Sequence, residues 1–581
     1  MEQGLERVSQ LSIHDASDLS PPKELIVSEN ATQVDRTSNL QAPEVAVNSS
    51  NNKNKKKKKK KSAQHKLLPS QKLVESTFPW KVVNRVGRGR CAVACRNIKA
   101  GEVVVAERAV AFMPRAQYIT SVCHSCCCTF TEDCASVKCS SCQNVFHCEP
   151  CKEQVLHQHR KWCSVFKEIN RIAKESDCDQ DLVHFVLSLF SKKYGNNDRK
   201  VIDTVEQIHI EGTVEDGIIN SSFQDALGLQ THQAKMPKAW RTSVRKGCQA
   251  LQMVIMKERE GSLDCSVEEL ECLAALVNTN AHGMGAQGLR NTDVALGIFP
   301  FVSMLNHSCR PNCCFASEGN IMFVRALQDI SSDTELCVSY INLYEPRSIR
   351  KHELSVTKHF DCNCQRCTEP LESSVDRFLE GCMCNGKGCC GVLLKMTSLN
   401  GHALGDNKLT PWICDTCSRI LDPQSYDPIG KPLTEAPWVL VAKAEEKMAI
   451  AFSAYRERRL KDARALLENF ISEFSGKLHQ LHVLLFDALT PLMNCHRAVG
   501  DAEGGVRVCR KVLSCLEKVL SNPTLELANF YFCLGEMCSE RAEANDISPV
   551  LAKFYKKQAQ EAFQRVQQIR KICLGKPSLP Y

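Results

Sequence analysis

The residues with the most specific chemistry in this sequence are closely spaced cysteines. The chain has 35 cysteines among 581 residues, and its first residues, MEQGLERVSQ, lack the apolar core of a secretion signal. We therefore expect an intracellular protein whose thiols stay reduced instead of forming disulfides. Two thiolates on one short turn can share a tetrahedral zinc ion, so cysteines two or three positions apart predict zinc sites.

Eight candidate ligands between residues 123 and 163 are enough for two zinc ions. Four of them form two knuckles with two residues between the cysteines, and the last two stand one helical turn apart. Cys127, Cys128 and Cys134 fit no ligand position in this pattern and are interpreted as spare thiols. The eight candidate ligands are Cys123, Cys126, Cys139, Cys142, Cys148, Cys151, His159 and Cys163.

Two further groups of cysteines follow. Cys362-x-Cys364-x2-Cys367 supplies three thiolates, one fewer than a closed zinc site needs. A second pair of knuckles surrounds the apolar segment GVLL and looks like a zinc ribbon, with Cys382 and Cys390 as substitutes for its best ligands. Those best ligands are Cys384, Cys389, Cys414 and Cys417.

An Asn-His turn and a segment ending in tyrosine form the other chemical pattern. Asn306-His307-Ser308-Cys309 follows the apolar run Ile298–Leu305, and the alternating segment Glu335–Tyr340 comes later. These two segments resemble the heart of a SET domain, in which they cross and build a site for S-adenosylmethionine. The cysteine pattern described above resembles a MYND zinc finger. The sequence is therefore identified as a member of the SET-and-MYND family of protein-lysine methyltransferases, over most of the chain after residue 79.

The resemblance implies roles for individual residues. Tyr340 would be the catalytic residue, and Cys309 would be the fourth zinc ligand beside the three cysteines of the C-x-C-x2-C motif. Phe360 would lie over the adenine of the cofactor. The implied cofactors are S-adenosyl-L-methionine and zinc, with two zinc ions in the MYND finger, one in the post-SET segment and one in the ribbon-like insert. The implied cofactor-binding residues are Gly87, Arg88, Gly89, Asn280, Asn306, His307, Tyr340 and Phe360.

Three departures from the family pattern concern the substrate and the first zinc site. Lys358 stands where the family often has an aromatic residue, and a cation there could discourage a lysine substrate or alter its positioning. Thr279 stands where a cysteine is common. Cys148 and Cys151 enclose two residues instead of the usual three, so the fifth MYND ligand is Cys148 or, with the usual spacing, His147.

Composition sets limits on the partners. Hydrophobic residues make up 43% and charged residues 24% of the chain, as in ordinary globular proteins. The net charge is +8, but eight lysines lie between Lys53 and Lys61, so the remainder is neutral. A general nucleic-acid surface is therefore not expected beyond this Lys-rich tail, which is either a nuclear-localisation signal or a solvated tail. No apolar run approaches the ~18 residues of a membrane span, so no membrane association is expected.

The predicted fold class is α+β. It comprises a β-rich SET domain split by a MYND zinc finger and a helical insert, a zinc-binding post-SET segment, and a C-terminal α-helical domain like tetratricopeptide (TPR) repeats, predicted from apolar residues at three- and four-residue spacings. The expected segments are a disordered Lys-rich tail (1–75), the N-terminal part of the SET domain (76–122), the MYND finger (123–163), the helical insert (164–270), the SET core (271–350), the post-SET segment (351–370), the ribbon-like insert (380–420) and the helical TPR-like domain (437–575).

Two functional hypotheses follow from these motifs. The first is a monomeric S-adenosylmethionine-dependent protein-lysine methyltransferase of the cytoplasm and nucleus, acting on histone or non-histone proteins. The alternative is a catalytically weak or inactive adaptor and transcriptional co-regulator. In that alternative the MYND finger recruits proline-rich partners, and the helical domain recruits others.

Overall fold

A computed structural model of the chain describes most residues from 68 onward, and the Lys-rich tail and Cys134 lie outside the described residues. Among the helices of the described ranges, none combines the length and the apolar character that crossing a membrane requires. The described ranges are 68–130, 136–142, 145–151, 159–194, 212–258, 263–285, 293–396, 398–399, 402–403, 410–423 and 436–575.

Short strands on both sides of the MYND segment build the β-rich part of the chain. The largest sheet has five strands in the order β12-β13-β3-β8-β7, and a three-stranded sheet has the order β4-β10-β9. β3 is the central strand of the larger sheet. Its successive residues Val104 and Val105 are both fully buried, as expected for a strand that is covered on both faces. The strands are Trp80–Arg85 (β1), Gly89–Ala94 (β2), Val103–Arg108 (β3), Ala111–Pro114 (β4), Ser136–Lys138 (β5), Phe146–Cys148 (β6), Thr213–Glu215 (β7), Ile218–Asn220 (β8), His282–Gly285 (β9), Asp293–Ile298 (β10), Asn306–His307 (β11), Cys313–Glu318 (β12), Ile321–Ala326 (β13), Cys337–Val338 (β14), Cys382–Met383 (β15), Val392–Lys395 (β16), Ser398–Leu399 (β17), His402–Ala403 (β18), Trp412–Cys414 (β19) and Ile420–Leu421 (β20).

Helices account for the insert, the post-SET segment and the C-terminal region. A π-helical turn, Leu354–Lys358, extends α7 and ends at His359. The α-helices are Gln71–Thr77 (α1), Cys163–Ser176 (α2), Gln180–Ser191 (α3), Phe223–Leu227 (α4), Lys238–Glu258 (α5), Val267–Asn280 (α6), Arg347–Glu353 (α7), Gln365–Thr368 (α8), Asp376–Leu379 (α9), Pro437–Arg456 (α10), Leu460–Phe474 (α11), Val483–Ala498 (α12), Ala502–Val519 (α13), Leu525–Glu543 (α14) and Pro549–Leu574 (α15).

The expected disordered tail, residues 1–75, extends too far, because the structure describes folded residues from 68 onward. Leu68 and Val74 are buried in the same core as the SET strands. Ser70 fixes this segment, since its backbone N–H donates to Asp225 Oδ1 at 2.9 Å and its hydroxyl donates to Asp225 Oδ2 at 2.7 Å. The short helix α1 is thus held by two apolar side chains and one buried carboxylate.

The insert is not entirely helical, contrary to the expectation. The hairpin β7–β8 lies within it, and β8 pairs in parallel with β3 through Glu107 and Ile219. Asp216 and Gly217 join the two strands with φ values of 51° and 74°. Positive φ at both central residues is the geometry that Asp-Gly favours in a two-residue hairpin. The insert therefore extends the SET sheet by two strands.

Six helices form the C-terminal region, as the helical spacing predicted. α12 begins at Val483, and Leu478 before it makes an isolated β-bridge with Cys382. The region packs against the SET core. The ring of Tyr344 stacks on Phe486 with centroids 3.6 Å apart, and the last helix lies close enough to Gly101 that a Cβ there would be 3.6 Å from Ile572 Cα.

Candidate functional site

A cavity of about 660 Å³ opens where the N-terminal SET strands, the insert and the post-SET segment meet. The structure brings to this one cavity all eight residues that the sequence analysis assigned to the cofactor. Their role in binding stays a prediction, but their convergence from five separate parts of the chain is a structural fact. The eight lining residues are Gly87, Arg88, Gly89, Asn280, Asn306, His307, Tyr340 and Phe360.

The Asn-His turn and the segment that ends at Tyr340 cross, and they pair there as the parallel strands β11 and β14. In the register of β11 and β14, Asn306 pairs with Cys337 and His307 pairs with Val338. The backbone N–H of Ser308 donates to Val338 O at 3.0 Å and extends this pairing. The crossing places Tyr340 beside His307, with ring centroids 5.4 Å apart.

The Gly-Arg-Gly loop is the turn between β1 and β2. Gly87 and Gly89 have φ values of 77° and 69°, which residues with a Cβ rarely adopt, and a Cβ at either position would meet nothing within 4 Å. The glycines are therefore required by backbone conformation and not by close packing. Between them, Arg88 forms an ion pair with Glu335, with Nη2 3.3 Å from Oε1.

Asn306 is oriented by the protein itself. Its Nδ2 donates to Glu335 Oε1 at 3.0 Å and to Arg90 O at 2.9 Å. The amide oxygen then remains the group that can accept a hydrogen bond from a ligand amine. Sequence reasoning missed Glu335, although its place at the start of the tyrosine segment marks it as a neighbour of this turn.

His307 is buried and connects the tyrosine to the cysteine cluster. Its Nδ1 accepts a hydrogen bond from the backbone N–H of Tyr340 at 3.1 Å, and its Nε2 lies 3.2 Å from Cys309 Sγ. Burial lowers the pKa of His307 to about 4. The ring is therefore neutral near pH 7, with Nδ1 free of a proton and Nε2 carrying one.

Tyr340 presents a protonated hydroxyl. The hydroxyl donates to Leu305 O at 2.6 Å, and burial raises the pKa of this phenol well above its ordinary value. Because the single proton is engaged with Leu305, the oxygen lone pairs are available to other groups. The hydroxyl can therefore orient a polar or partly positive group without ionising.

Lys358 also lines the cavity, at the position where the family pattern has an aromatic residue. Its Nζ donates to Thr279 O at 2.9 Å and lies 5.8 Å from the centroid of the Tyr340 ring. Burial lowers the pKa of this amine. The cation anticipated from the sequence is thus located directly beside the predicted catalytic tyrosine.

The remaining walls come from the insert and the post-SET segment. Asn280, the last residue of α6, donates from Nδ2 to Gln230 O at 2.8 Å. Phe360 is 37% exposed at the opening of the cavity, and its ring centroid lies 6.4 Å from that of His307. His282, which sequence reasoning missed, lines the cavity with its ring 5.7 Å from that of Phe315 in a T-shaped contact.

The cysteine turn of the Asn-His segment meets the C-x-C-x2-C motif, as the resemblance implied. Cys309, Cys362, Cys364 and Cys367 are buried, with all four sulfurs within 4.8 Å of one another. Buried Arg350 lies against the group, with Nε 3.3 Å from Cys309 Sγ. Four thiolates suit zinc, and a nearby guanidinium offsets their excess negative charge.

The first MYND group differs from the expected ligand set. Its four clustered thiols belong to Cys123, Cys126, Cys128 and Cys148. Cys128 therefore lies among the candidate ligands, and its interpretation as a spare thiol outside the ligand pattern is wrong. Cys127 has a φ of 59°, and this left-handed turn brings Cys128 Sγ to 3.1 Å from Cys126 Sγ. The thiol of Cys151 also interacts with those of Cys126 and Cys148, without belonging to this four-thiol cluster.

The fifth-ligand alternatives are separated by position. Cys148 is within the first group, whereas His147 is not, and His147 Nδ1 lies 3.3 Å from Cys148 O. The second MYND group has the expected members, and Cys142 Sγ lies 3.2 Å from His159 Nε2. These members are Cys139, Cys142, His159 and Cys163.

The ribbon-like group contains the four predicted best ligands, and Cys382 and Cys390 stand outside it. Four backbone amides donate to its sulfurs. Gly386 N–H donates to Cys384 Sγ and Gly391 N–H to Cys389 Sγ, both at 3.3 Å. The amides of Thr416 and Cys417 donate to Cys414 Sγ at 3.4 and 3.5 Å. Amides that donate to sulfur favour thiolates, which are the form that binds metal. The group consists of Cys384, Cys389, Cys414 and Cys417.

The fold and the cavity define a SET-domain protein. Residues 89–341 match the family model described as the SET domain. The chain is 25% identical over 344 residues to the SET domain-containing protein SmydA-8 of Drosophila melanogaster, covering 59% of this chain and 65% of that protein. It is 26% identical over 319 residues to the histone-lysine N-methyltransferase ASHR1 of Arabidopsis thaliana, covering 54% and 61%.

A third relative carries both domains in its name. The chain is 22% identical over 361 residues to a SET and MYND domain-containing protein of Dictyostelium discoideum, covering 57% of this chain and 93% of that protein. The similarity to the two relatives named before it spans less than two thirds of their length, 65% and 61%. The match to the SET-domain model and the similarity to these relatives support the resemblance to the SET-and-MYND family that the motifs indicated.

Proposed function

We propose that this chain is an S-adenosylmethionine-dependent protein-lysine N-methyltransferase. The observation that carries the proposal is the parallel crossing of β11 and β14, which puts Tyr340 and the Asn-His pair on one cavity of about 660 Å³. Similarity to proteins named as histone-lysine and N-lysine methyltransferases supports the same reaction. Histone and non-histone proteins are both proposed as substrates.

The cavity residues fit the cofactor. Asn306 offers an amide oxygen to the cofactor's amine, Arg88 offers a guanidinium beside the Gly-Arg-Gly turn, and Phe360 offers an aromatic face at the opening. S-adenosylmethionine supplies, when bound, a methyl group on a positively charged sulfur. The donors and the aromatic face therefore suit a charged, zwitterionic ligand with a planar base.

The protein residues would act by alignment and desolvation. A free lysine amine has a pKa of ~10.4, so it must lose a proton before it can attack. Burial in the cavity disfavours the charged amine, and the same burial lowers the pKa of Lys358. The Tyr340 hydroxyl, held by Leu305 O, then orients the amine and the methyl carbon in line, which contributes several kcal/mol.

Zinc would act structurally and not in the reaction. The four cysteine-rich groups contain thiolate and imidazole donors that zinc prefers, and we propose two ions in the MYND finger, one in the post-SET segment and one in the ribbon-like insert. The post-SET ion would bind Cys309, two residues from His307. It would thereby fix the turn that holds the cofactor.

The experiment that tests the proposal compares two tyrosine variants. Zinc-replete protein is incubated with methyl-labelled S-adenosylmethionine and a protein extract. Tyr340→Phe should lower label transfer by at least about a hundredfold. Tyr344→Phe is the matched control, because it also removes a buried tyrosine hydroxyl. That hydroxyl donates to Leu481 O at 3.2 Å and lies outside the cavity lining. Transfer by Tyr340→Phe at the wild-type rate would refute the role of Tyr340.

The adaptor hypothesis is the alternative, with proline-rich partners of the MYND finger, and no described contact favours it. A monomer in the cytoplasm and nucleus is proposed for the enzyme. If folded, zinc-replete wild-type protein transfers no label, the adaptor hypothesis is favoured. A proline-rich peptide that binds the protein and loses affinity when Cys139 is replaced by serine would support that role directly.

A further inference from the structure

Lys358 brings a primary amine of the chain itself into the cavity. Its Nζ is fixed by two neighbours, Thr279 O at 2.9 Å and the ring of Tyr340, whose centroid is 5.8 Å away. The methyl acceptor of the proposed reaction is a primary amine beside the same tyrosine. Lys358 therefore has both the chemical group and the location of an acceptor.

The backbone around Lys358 aims its side chain inward. Lys358 is the last residue of the π-helical turn that follows α7, and His359 has a φ of 61°. Single π-helical turns are rare and are frequently located at functional sites, and a positive φ is uncommon for a residue other than glycine. Lys235 stabilises the reversal from outside, since its Nζ donates to His359 O at 3.0 Å. The two lysines thus lie on either side of one turn, only Lys358 reaching the cavity.

The environment of the amine increases the fraction in the neutral, nucleophilic form. Burial lowers the pKa of Lys358, and no carboxylate in the described part of the chain is paired with its Nζ within 4.0 Å. The acceptor of its hydrogen bond is a neutral carbonyl oxygen, which binds both the amine and the ammonium form. A neutral amine held at one point and free to rotate can present its lone pair to the cavity.

We propose that Lys358 is a methyl acceptor within its own chain, so that the cavity modifies one of its own walls. This inference rests on the proposed function. The lone pair of neutral Nζ forms a carbon–nitrogen bond to the methyl group as the carbon–sulfur bond of S-adenosylmethionine breaks. The electron pair of the broken bond stays on sulfur, S-adenosylhomocysteine leaves, and the new methylammonium releases one proton to water before any second transfer.

Peptide mass spectrometry after incubation with S-adenosylmethionine tests the proposal. Methylation is expected on Lys358, with Lys235 unmodified as the internal control. Because the acceptor belongs to the same chain, the fraction modified at a given time should not change when the protein concentration is raised about tenfold. Tyr340→Phe should abolish the modification. A rate that rises with protein concentration would mean transfer between molecules and would overturn the proposal.

A second readout requires no turnover. Acetic anhydride acylates neutral amines, and S-adenosylhomocysteine in the cavity should protect Lys358 from it while leaving Lys235 equally reactive. Equal acylation of Lys358 with and without bound S-adenosylhomocysteine would contradict its location beside the reacting groups. Lys235→Arg tests folding, since it keeps a donor to His359 O outside the cavity lining and should bind S-adenosylhomocysteine within about threefold of wild type.

The two proposals fail in different ways. If the protein binds S-adenosylmethionine and methylates an added protein but leaves Lys358 unmodified, the self-methylation proposal is wrong and the proposed function stands. If wild-type protein binds no cofactor and modifies neither itself nor any other protein, both are wrong. Modification of Lys358 with no transfer to added proteins would support self-methylation and restrict the enzyme to its own chain.

Discussion

At the scale of single residues, Glu335 makes contacts with two arginines and one asparagine that were not predicted from the sequence. One of its oxygens accepts from Asn306 Nδ2 at 3.0 Å, and its carboxylate forms ion pairs with Arg85 and Arg88, both at 3.3 Å. The residue thus joins the Gly-Arg-Gly turn to the Asn-His turn. A carboxylate that holds two binding segments together positions residues that contact the ligand.

Replacing this carboxylate should weaken cofactor binding. In Glu335→Gln the two arginines lose their partner and the Asn306 amide is held by one charge-assisted hydrogen bond fewer. We expect affinity for S-adenosylmethionine to fall about tenfold, equivalent to about 1.4 kcal/mol, as measured by calorimetry. Glu318→Gln, on β12 away from the cavity lining, is the control and should bind as wild type. Unchanged affinity in Glu335→Gln would show that the turns keep their geometry without it.

Single residues also show where prediction from sequence stops. The resemblance of their motifs to a SET domain was sufficient to predict that Asn306, His307 and Tyr340 lie at one site. The partners of Lys358 and Glu335 were not predictable, since Thr279 O and Arg88 approach from segments far away in sequence. The involvement of Cys128 was missed because it depends on the left-handed turn at Cys127.

At the scale of elements, the post-SET cysteines and the Asn-His turn form one unit. Cys309 N–H donates to Cys364 Sγ at 3.4 Å, and the sulfurs of Cys309 and Cys367 are 3.5 Å apart. The backbone of Tyr340 is tied to the same turn through His307. Loss of one of these zinc-binding cysteines should therefore weaken cofactor binding, although none of them is predicted to contact the cofactor.

This coupling predicts different outcomes for two buried cysteines. Cys309→Ser should lose about one zinc ion per chain and bind S-adenosylmethionine at least about tenfold more weakly, because a structural site with three ligands holds its metal poorly. Cys313→Ser, on β12 and outside the four described clusters, should keep its zinc and its affinity. Native mass spectrometry and calorimetry measure the two effects. Full zinc content in Cys309→Ser would contradict the assigned ligand set.

Helix α12 provides a second test at this scale. Its N-cap His482 accepts a hydrogen bond at Nδ1 from Leu484 N–H at 3.2 Å, and burial lowers the pKa of His482 from 6.5 to about 3. Since the folded pKa lies below the unfolded one, protonation favours unfolding. The stabilisation is complete above about pH 6.5 and is lost as the pH falls toward 3.

The pH effect can be isolated by one substitution. His482→Asn keeps an N-cap acceptor but does not titrate, so its stability should vary less between pH 7 and pH 4 than that of wild type. Chemical denaturation at several pH values measures the difference between the two proteins, in which the other histidines cancel. Parallel pH profiles for the two proteins would show that His482 makes no contribution.

The periodicity of apolar residues predicted the C-terminal helices but not the short strands of the insert. The C-terminal helices were recognised because apolar residues recur at helical spacing along each of them, as in α11 (Leu460–Phe474). The hairpin β7–β8 was missed because three-residue strands carry too few positions for a period to be seen. Only the Asp216-Gly217 turn signalled it.

At the scale of the whole molecule, the C-terminal helices and the SET sheet share one boundary. Asn522 Nδ2 donates to Pro311 O at 2.8 Å, directly after the Asn-His-Ser-Cys turn, and Tyr344 stacks on Phe486 after the segment that ends at Tyr340. The helical region therefore supports both segments that cross at the cavity. Such contacts between distant parts of the chain could not be predicted from motifs that are local in sequence.

Calorimetric titration of the zinc-replete chain with S-adenosylmethionine measures whether the cavity at this crossing binds the cofactor. We expect one bound cofactor per chain and an affinity at least about tenfold weaker in Asn306→Ala. Asn278→Ala should bind as wild type, because Asn278 contacts Met236 Sδ and lies outside the cavity lining. Absence of binding by folded, zinc-replete wild-type protein, or binding that Asn306→Ala leaves unchanged, would contradict the predicted cofactor site.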